Sequence, residues 1–123
     1  MKFKTTNYGN QKGILKFPDH YVNVAITVSD SGVSANEEGR KIVPAGTILG
    51  GGVLADETTL AVKATSDEEA GSNAEGVLFN DVDVTDGPAK GAMLIHGFLD
   101  TSKLPVAPTE EDKAALNQIT FVE

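Results

Sequence analysis

Residues 75–105 read EGVLFNDVDVTDGPAKGAMLIHGFLDTSKLP, and the reading of this stretch decides the fold. Gly76-Val77-Leu78-Phe79 and Ala92-Met93-Leu94-Ile95 are apolar runs of strand length. The intervening Asp81-Val-Asp-Val-Thr-Asp-Gly-Pro88 carries acids, Gly87 and Pro88, which break a helix and favour a turn. Two strands joined by an acidic bend are expected, with residues 99–104 leading the chain off the sheet. No reactive group stands at the centre of this unit.

Upstream, residues 21–28 alternate strictly. Val22, Val24, Ile26 and Val28 share one face, and Asn23, Ala25 and Thr27 the other, which is the period of a strand. Residues 29–39 read as loop, 40–43 as a short strand, 44–46 as a proline-set turn and 47–49 as extended chain. Residues 58–65 (TTLAVKAT) suggest another strand and 66–73 (SDEEAGSN) an acidic loop. Downstream, Thr109 is a good N-cap followed by Glu110, Glu111 and Asp112, where the helix dipole favours anions. That helix is expected to reach about residue 117, and residues 118–122 to close the chain as a strand. The fold class expected is mostly β (α+β): a small, largely antiparallel barrel-like or sandwich-like domain with one short C-terminal helix.

A chain of 123 residues fits one domain. With no Cys, disulfides and thiol chemistry are excluded. No apolar run is long enough to cross a membrane as a helix, and residues 1–13 (MKFKTTNYGNQKG) lack the apolar core of a signal peptide, so neither membrane insertion nor secretion is expected. The net charge of −8 is unevenly placed: residues 1–20 carry +3 and residues 21–123 carry −11. An acidic body repels nucleic acid, so no nucleic-acid partner is expected. Its basic N-terminus suits an acidic protein surface or phosphate, or simply acts as a solubilising end. Residues 1–17 have no hydrophobic period, yet carry Phe3, Tyr8, Ile14, Leu15 and Phe17. This composition suggests an arm that is mobile when free and docks through those five side chains. The domain reading is therefore an arm over residues 1–19 and a β-rich body over 20–123.

Taken in order, GVL at 76–78, the acidic DVD-T-G turn, and HGF-LD-KLP at 96–105 resemble the lambda-like head decoration proteins of tailed phages. The likeness continues through Pro108-Thr109-Glu110-Glu111-Asp112-Lys113-Ala114-Ala115-Leu116, similar to a short helix near the C-terminus of that family. It is strongest over residues 75–116 and looser from 41 to 122. The resemblance implies a non-enzymatic protein, made in the host cytoplasm, that binds the outside of an expanded virion head as a homotrimer and stabilises it. Its partners would be the major capsid protein and its own copies. The family places the capsid contact in the N-terminal arm, which puts Phe3, Tyr8, Ile14, Leu15 and Phe17 forward as capsid-binding residues. The alternative is a stand-alone β-barrel binding module for glycans or cell surfaces; the lack of Trp and the two Tyr weigh against an aromatic sugar platform.

Catalytic and cofactor readings find little support. His20 and His96 are the only imidazoles and lie outside ligand-spaced motifs; both read as packed or interface side chains. No Ser stands in a nucleophile-elbow context. Asp81-x-Asp83-x-x-Asp86 starts like a calcium loop, but Asp86 occupies the position that needs Gly and Ala92 the one that needs Glu. Gly50-Gly51-Gly52 could let backbone N–H groups approach an anion. No Lys-Ser/Thr follows, and Asp56 and Glu57 would repel phosphate, so a bend between strands is the expectation. Lys90 lacks the apolar flanks of a biotin or lipoate hairpin. No metal and no cofactor are expected.

Overall fold

A computed structural model describes residues 14–16, 20–56, 58–69 and 71–122. The alternating run forms β1 (Tyr21–Val28). Ile26 and Val28 are buried as the period requires, but Val22 is exposed; the register with β9 shifts between Val22 and Asn23, where Ile95 is the extra residue on β9. Short strands follow: β2 (Ile42–Val43), β3 (Ile48–Gly50) and β4 (Val62–Lys63). The acidic segment expected as loop folds into a small hairpin, β5 (Ser66–Asp67) and β6 (Gly71–Ser72). Then come β7 (Ala74–Leu78), β8 (Val82–Asp83) and the long β9 (Ala89–Asp100). A 3-10 turn (Thr101–Lys103), helix α1 (Glu110–Ala115) and β10 (Ile119–Val122) complete the described chain.

The central pair forms as the two apolar runs require: β7 lies antiparallel to β9, with Val77 opposite Leu94 and Leu78 opposite Met93. β9 is far longer than its apolar core suggested. It pairs antiparallel with β1 from Ala89 to Gly97, and its last four residues pair in parallel with β10. Leu99, expected to lead the chain off the sheet, is instead inside it and fully buried. The acidic bend also contributes structure, since β8 pairs with β2 and buries Val82 and Val84.

The main sheet has six strands among the described residues, in the order β1-β9-β7-β3-β4 with β10 attached to β9. One bridge, Val28 to Ala61, draws the two outer strands together, with reciprocal hydrogen bonds of 2.8 Å from Ser29 N–H to Ala61 and from Ala61 N–H to Thr27. The barrel does not close, and the architecture is a mostly antiparallel, sandwich-like β fold.

Period-two alternation along the central strands sends apolar side chains to both sides. Leu78 and Met93 join Ile26, Val28, Val43, Val82 and Val84 in one cluster, beneath the β2–β8 pair. Their neighbours Val77 and Leu94 join Ile14, Leu99, Leu116 and Ile119 in the other, beneath the C-terminal elements. Helix α1 begins with a reciprocal capping box: Thr109 accepts the Asp112 N–H while the Asp112 carboxylate accepts that of Thr109. Asp112 is buried and also accepts the Ser72 hydroxyl at 2.5 Å, which ties the helix to β6.

Part of the segment read as an arm packs on the body. Ile14 is 1% exposed and packs in the second cluster. Leu15 bridges Leu99, the Lys16 N–H bonds the Phe98 carbonyl, and the Asp100 N–H bonds the Ile14 carbonyl, both at 2.8 Å. Residues 14–16 thus belong to the body, because an isoleucine set against Leu99 and Ile119 removes more apolar surface from water there than in a free arm. Residues 1–13 and 17–19 lie outside the described residues, as does the expectation of mobility made for them.

Close approach of β7 to β9 depends on Gly76, where a Cβ would stand 2.5 Å from Met93 Cγ and 2.6 Å from the Leu94 carbonyl oxygen. Gly76→Ala should force the two central strands apart and cost about 1–3 kcal/mol, read as a lower urea midpoint. An unchanged midpoint would show that the β7–β9 spacing is not as tight as described.

Candidate functional site

The glycine run at 50–52 makes a turn, with Gly51 and Gly52 at φ of 108° and 89°. This conformation costs glycine little, and it turns three successive N–H groups to one side. They converge on a carboxylate from the chain itself: Glu75 Oε1 accepts from Gly52 at 2.5 Å and Val53 at 2.9 Å, and Oε2 accepts from Leu54 at 2.9 Å. The bend expected from the sequence is present, and so is an anion cradle, already filled by Glu75. No local signal could have found this pairing, because the partners stand more than twenty positions apart.

Two exposed acids of the 81–86 segment are likewise engaged by the chain itself. Asp81 Oδ1 accepts the Ala45 N–H at 2.7 Å and so braces the proline-set turn. Asp83 Oδ1 accepts the Thr85 N–H and hydroxyl, while Oδ2 accepts from Arg40 at 2.8 Å. Among the described residues, no three His, Cys, Asp or Glu side chains gather as a metal site.

The structure brings the two histidines together across 76 positions: their Nε2 atoms are 2.9 Å apart and their rings meet edge to face at 4.9 Å. His20 also tilts over Phe98, and next to it Tyr21 stacks on Phe79 at 5.3 Å. His20 is exposed and His96 half-buried, and their contact with each other is one that the sequence reading did not foresee.

Of the five residues put forward as capsid anchors, Ile14 is inside the body and Leu15 is half-buried against Leu99. Phe3, Tyr8 and Phe17 lie outside the described residues. Compared with protein-family models, curated proteins and solved structures, the chain matches none.

A groove of about 390 Å³ lies on the β3–β4 side, walled by apolar side chains that include Val43, Ile48, Val62, Pro105 and Val106. Val106 is 60% exposed at its rim. Asp112 is among its lining residues, with its oxygens engaged by Ser72 and Thr109, so the groove offers shape and apolar surface more than chemistry.

Two predictions test this internal use of carboxylates. Glu75→Ala should lower stability by about 2 kcal/mol, because three N–H groups lose a charged acceptor. Glu75→Gln should lose less, since its carbonyl oxygen can keep the bonds of Gly52 and Val53. Added acetate should raise the melting temperature of the alanine variant more than that of the wild type; equal effects would mean that the cradle collapses without its carboxylate.

The second prediction concerns acid. The Thr85 hydroxyl and N–H hold the Asp83 carboxyl below its ordinary value, and Arg40 adds to this. Thr58 does the same for Asp56, and Ser102, Lys16 and Lys103 for Asp100. A carboxyl depressed in the folded state stabilises above its unfolded value, about pH 4, and that contribution disappears as pH falls through the folded value. Stability should therefore fall off below about pH 4, and less steeply in Asp83→Asn. Urea midpoints measured from neutral pH downward check this; parallel curves would contradict it.

Proposed function

We propose that the chain is a capsid decoration protein of the lambda-like kind, binding the outside of an expanded phage head and stabilising it without catalysis. The observation that carries this reading is the ordered resemblance over residues 75–116, from GVL through the acidic turn and HGF-LD-KLP to the short helix. Those segments are the structural centre of the molecule, forming β7, β8, β9 and α1. Internal use of Glu75, Asp81, Asp83 and Asp112 as structural acceptors supports a scaffold rather than a reaction site.

In this reading the arm is shorter than residues 1–19. Residues 14–16 hold the edge of β9, so the docking segment is residues 1–13, with Phe3 and Tyr8 as apolar anchors and Lys2, Lys4 and Lys12 as cations. Ordering such a segment costs about 1–2 kcal/mol per residue, which offsets much of the gain from burying two aromatic rings. Attachment then needs several arms at once, and a homotrimer supplies them by raising the effective concentration of each. An arm that adds a strand to a capsid sheet edge would use backbone hydrogen bonds for affinity and alternate side chains for fit.

Cosedimentation with purified expanded heads tests the reading. The full chain should bind saturably, in multiples of three copies per site. Deletion of residues 1–13 should leave a folded body whose binding falls at least about tenfold, whereas deletion through residue 17 should also destabilise it, because Ile14 leaves the core. Failure of the full chain to bind, or attachment as a dimer or as single copies, would refute the assignment. Undiminished binding by the 1–13 deletion would move the contact to the body.

A further inference from the structure

We propose that His20 and His96 form a proton-sensitive clasp that fastens the chain just before β1 to the central strand at neutral pH and releases it in mild acid. The inference stands on the geometry of the body and does not depend on what the N-terminal residues dock on.

The argument is a count of hydrogens. A 2.9 Å contact between two Nε2 atoms requires one hydrogen between them. His96 Nδ1 is buried and has no hydrogen-bond partner among the described residues. If His96 accepted at Nε2, its own hydrogen would sit on that buried Nδ1 with nothing to receive it. If His96 donates, Nδ1 carries only a lone pair, and the hydrogen-bond network therefore assigns His96 as the Nε2–H donor and His20 as the acceptor.

No protonated form preserves this arrangement. With one added proton, keeping a single hydrogen between the Nε2 atoms places hydrogens on both Nδ1 atoms, including the buried one that lacks an acceptor. The remaining choice puts a hydrogen on each Nε2, so that two donors face each other. With two added protons the rings are both cationic as well as opposed. A proton added to either ring therefore opens the contact, and imidazole is the side chain whose ordinary charge change falls in mild acid. His20 is the mobile half, being exposed and outside the strand, whereas His96 is held in β9 opposite Val22.

Charged groups on the surrounding elements do not compensate. Lys16, on the segment bonded to Phe98, and Asp100, at the end of β9, interact electrostatically with each other. Asp100 Oδ1 accepts the Ser102 N–H and hydroxyl. β1 brings Tyr21, stacked on Phe79, and β10 brings no ionisable side chain between Ile119 and Val122. No carboxylate among the described residues bonds either ring; Asp19 adjoins His20 in the chain and lies outside them. Among the described residues the N-terminal side is also held to β9 by the Leu15–Leu99 bridge, by the His20–Phe98 ring contact and by the β1 pairing that begins at Tyr21; acid removes the histidine pair.

Nuclear magnetic resonance on the full-length protein tests the clasp. Long-range proton–nitrogen spectra at about pH 8 should show His96 as the Nε2–H tautomer. Hydrogen-exchange protection of the Lys16 amide, corrected for intrinsic rate, should fall about tenfold between pH 8 and pH 5, the equivalent of losing one hydrogen bond. His20→Phe, which keeps a ring over Phe98 but cannot titrate, should make that protection independent of pH, and His96→Gln should do the same. Unchanged protection in the wild type, the Nδ1–H tautomer at His96, or an equal fall in His20→Phe would each overturn the proposal.

Discussion

Hydrogen bonding on both edges of β9 is the constraint on which the rest of the molecule depends. Ala89 to Gly97 pair with β1 on one side, Met93 and Leu94 pair with β7 on the other, and Gly97 to Asp100 pair with β10. A strand bonded on both edges and covered on both faces must be apolar on alternate residues in both phases. Met93 and Leu94 meet this by pointing into different clusters. Small residues complete the arrangement, since Gly76 lets β7 lie against the Met93 side chain without a clash. Loss of this strand would separate the two cores and leave β1, β7 and β10 without a common partner.

Around that strand, charge is spent on holding loops rather than on presenting a reactive surface. The body is acidic, yet Glu75 closes a glycine turn, Asp81 braces a proline turn, Asp83 fixes its own bend and ties it to Arg40, and Asp112 both caps α1 and bonds Ser72. The Arg40–Asp83 ion pair is solvent-exposed and contributes little energy by itself. Carboxylates bonded to backbone N–H groups contribute more, because those donors would otherwise lack partners in turns that cannot supply them. Short strands and tight loops can then hold one shape in a small domain.

The N-terminal side shows how an arm and a body share residues. Sequence alone groups residues 1–17 by their lack of period, but Ile14 and Leu15 lie across Leu99 and form part of the core wall. A proposed docking segment that begins beyond Ile14 starts from a residue packed in the core. Just before β1, His20 contacts His96 of β9.

What the sequence determined by itself was local. Alternation over 21–28, the apolar runs at 76–79 and 92–95, and the Thr109 cap with its following acids each encode their element within a few residues, because backbone periodicity and capping act at that range. The mostly β class with one short helix follows from them. Only the tertiary structure decided the full length of β9, the parallel pairing of β10, the strand in the acidic bend and the hairpin at 66–72. The candidate site divides in the same way: the glycine turn was legible, but Glu75 as its anion, the meeting of His20 with His96, and the burial of Ile14 were not. Each joins residues far apart in the chain, and such pairings are chosen by which surfaces exclude water together, a property that no local pattern carries.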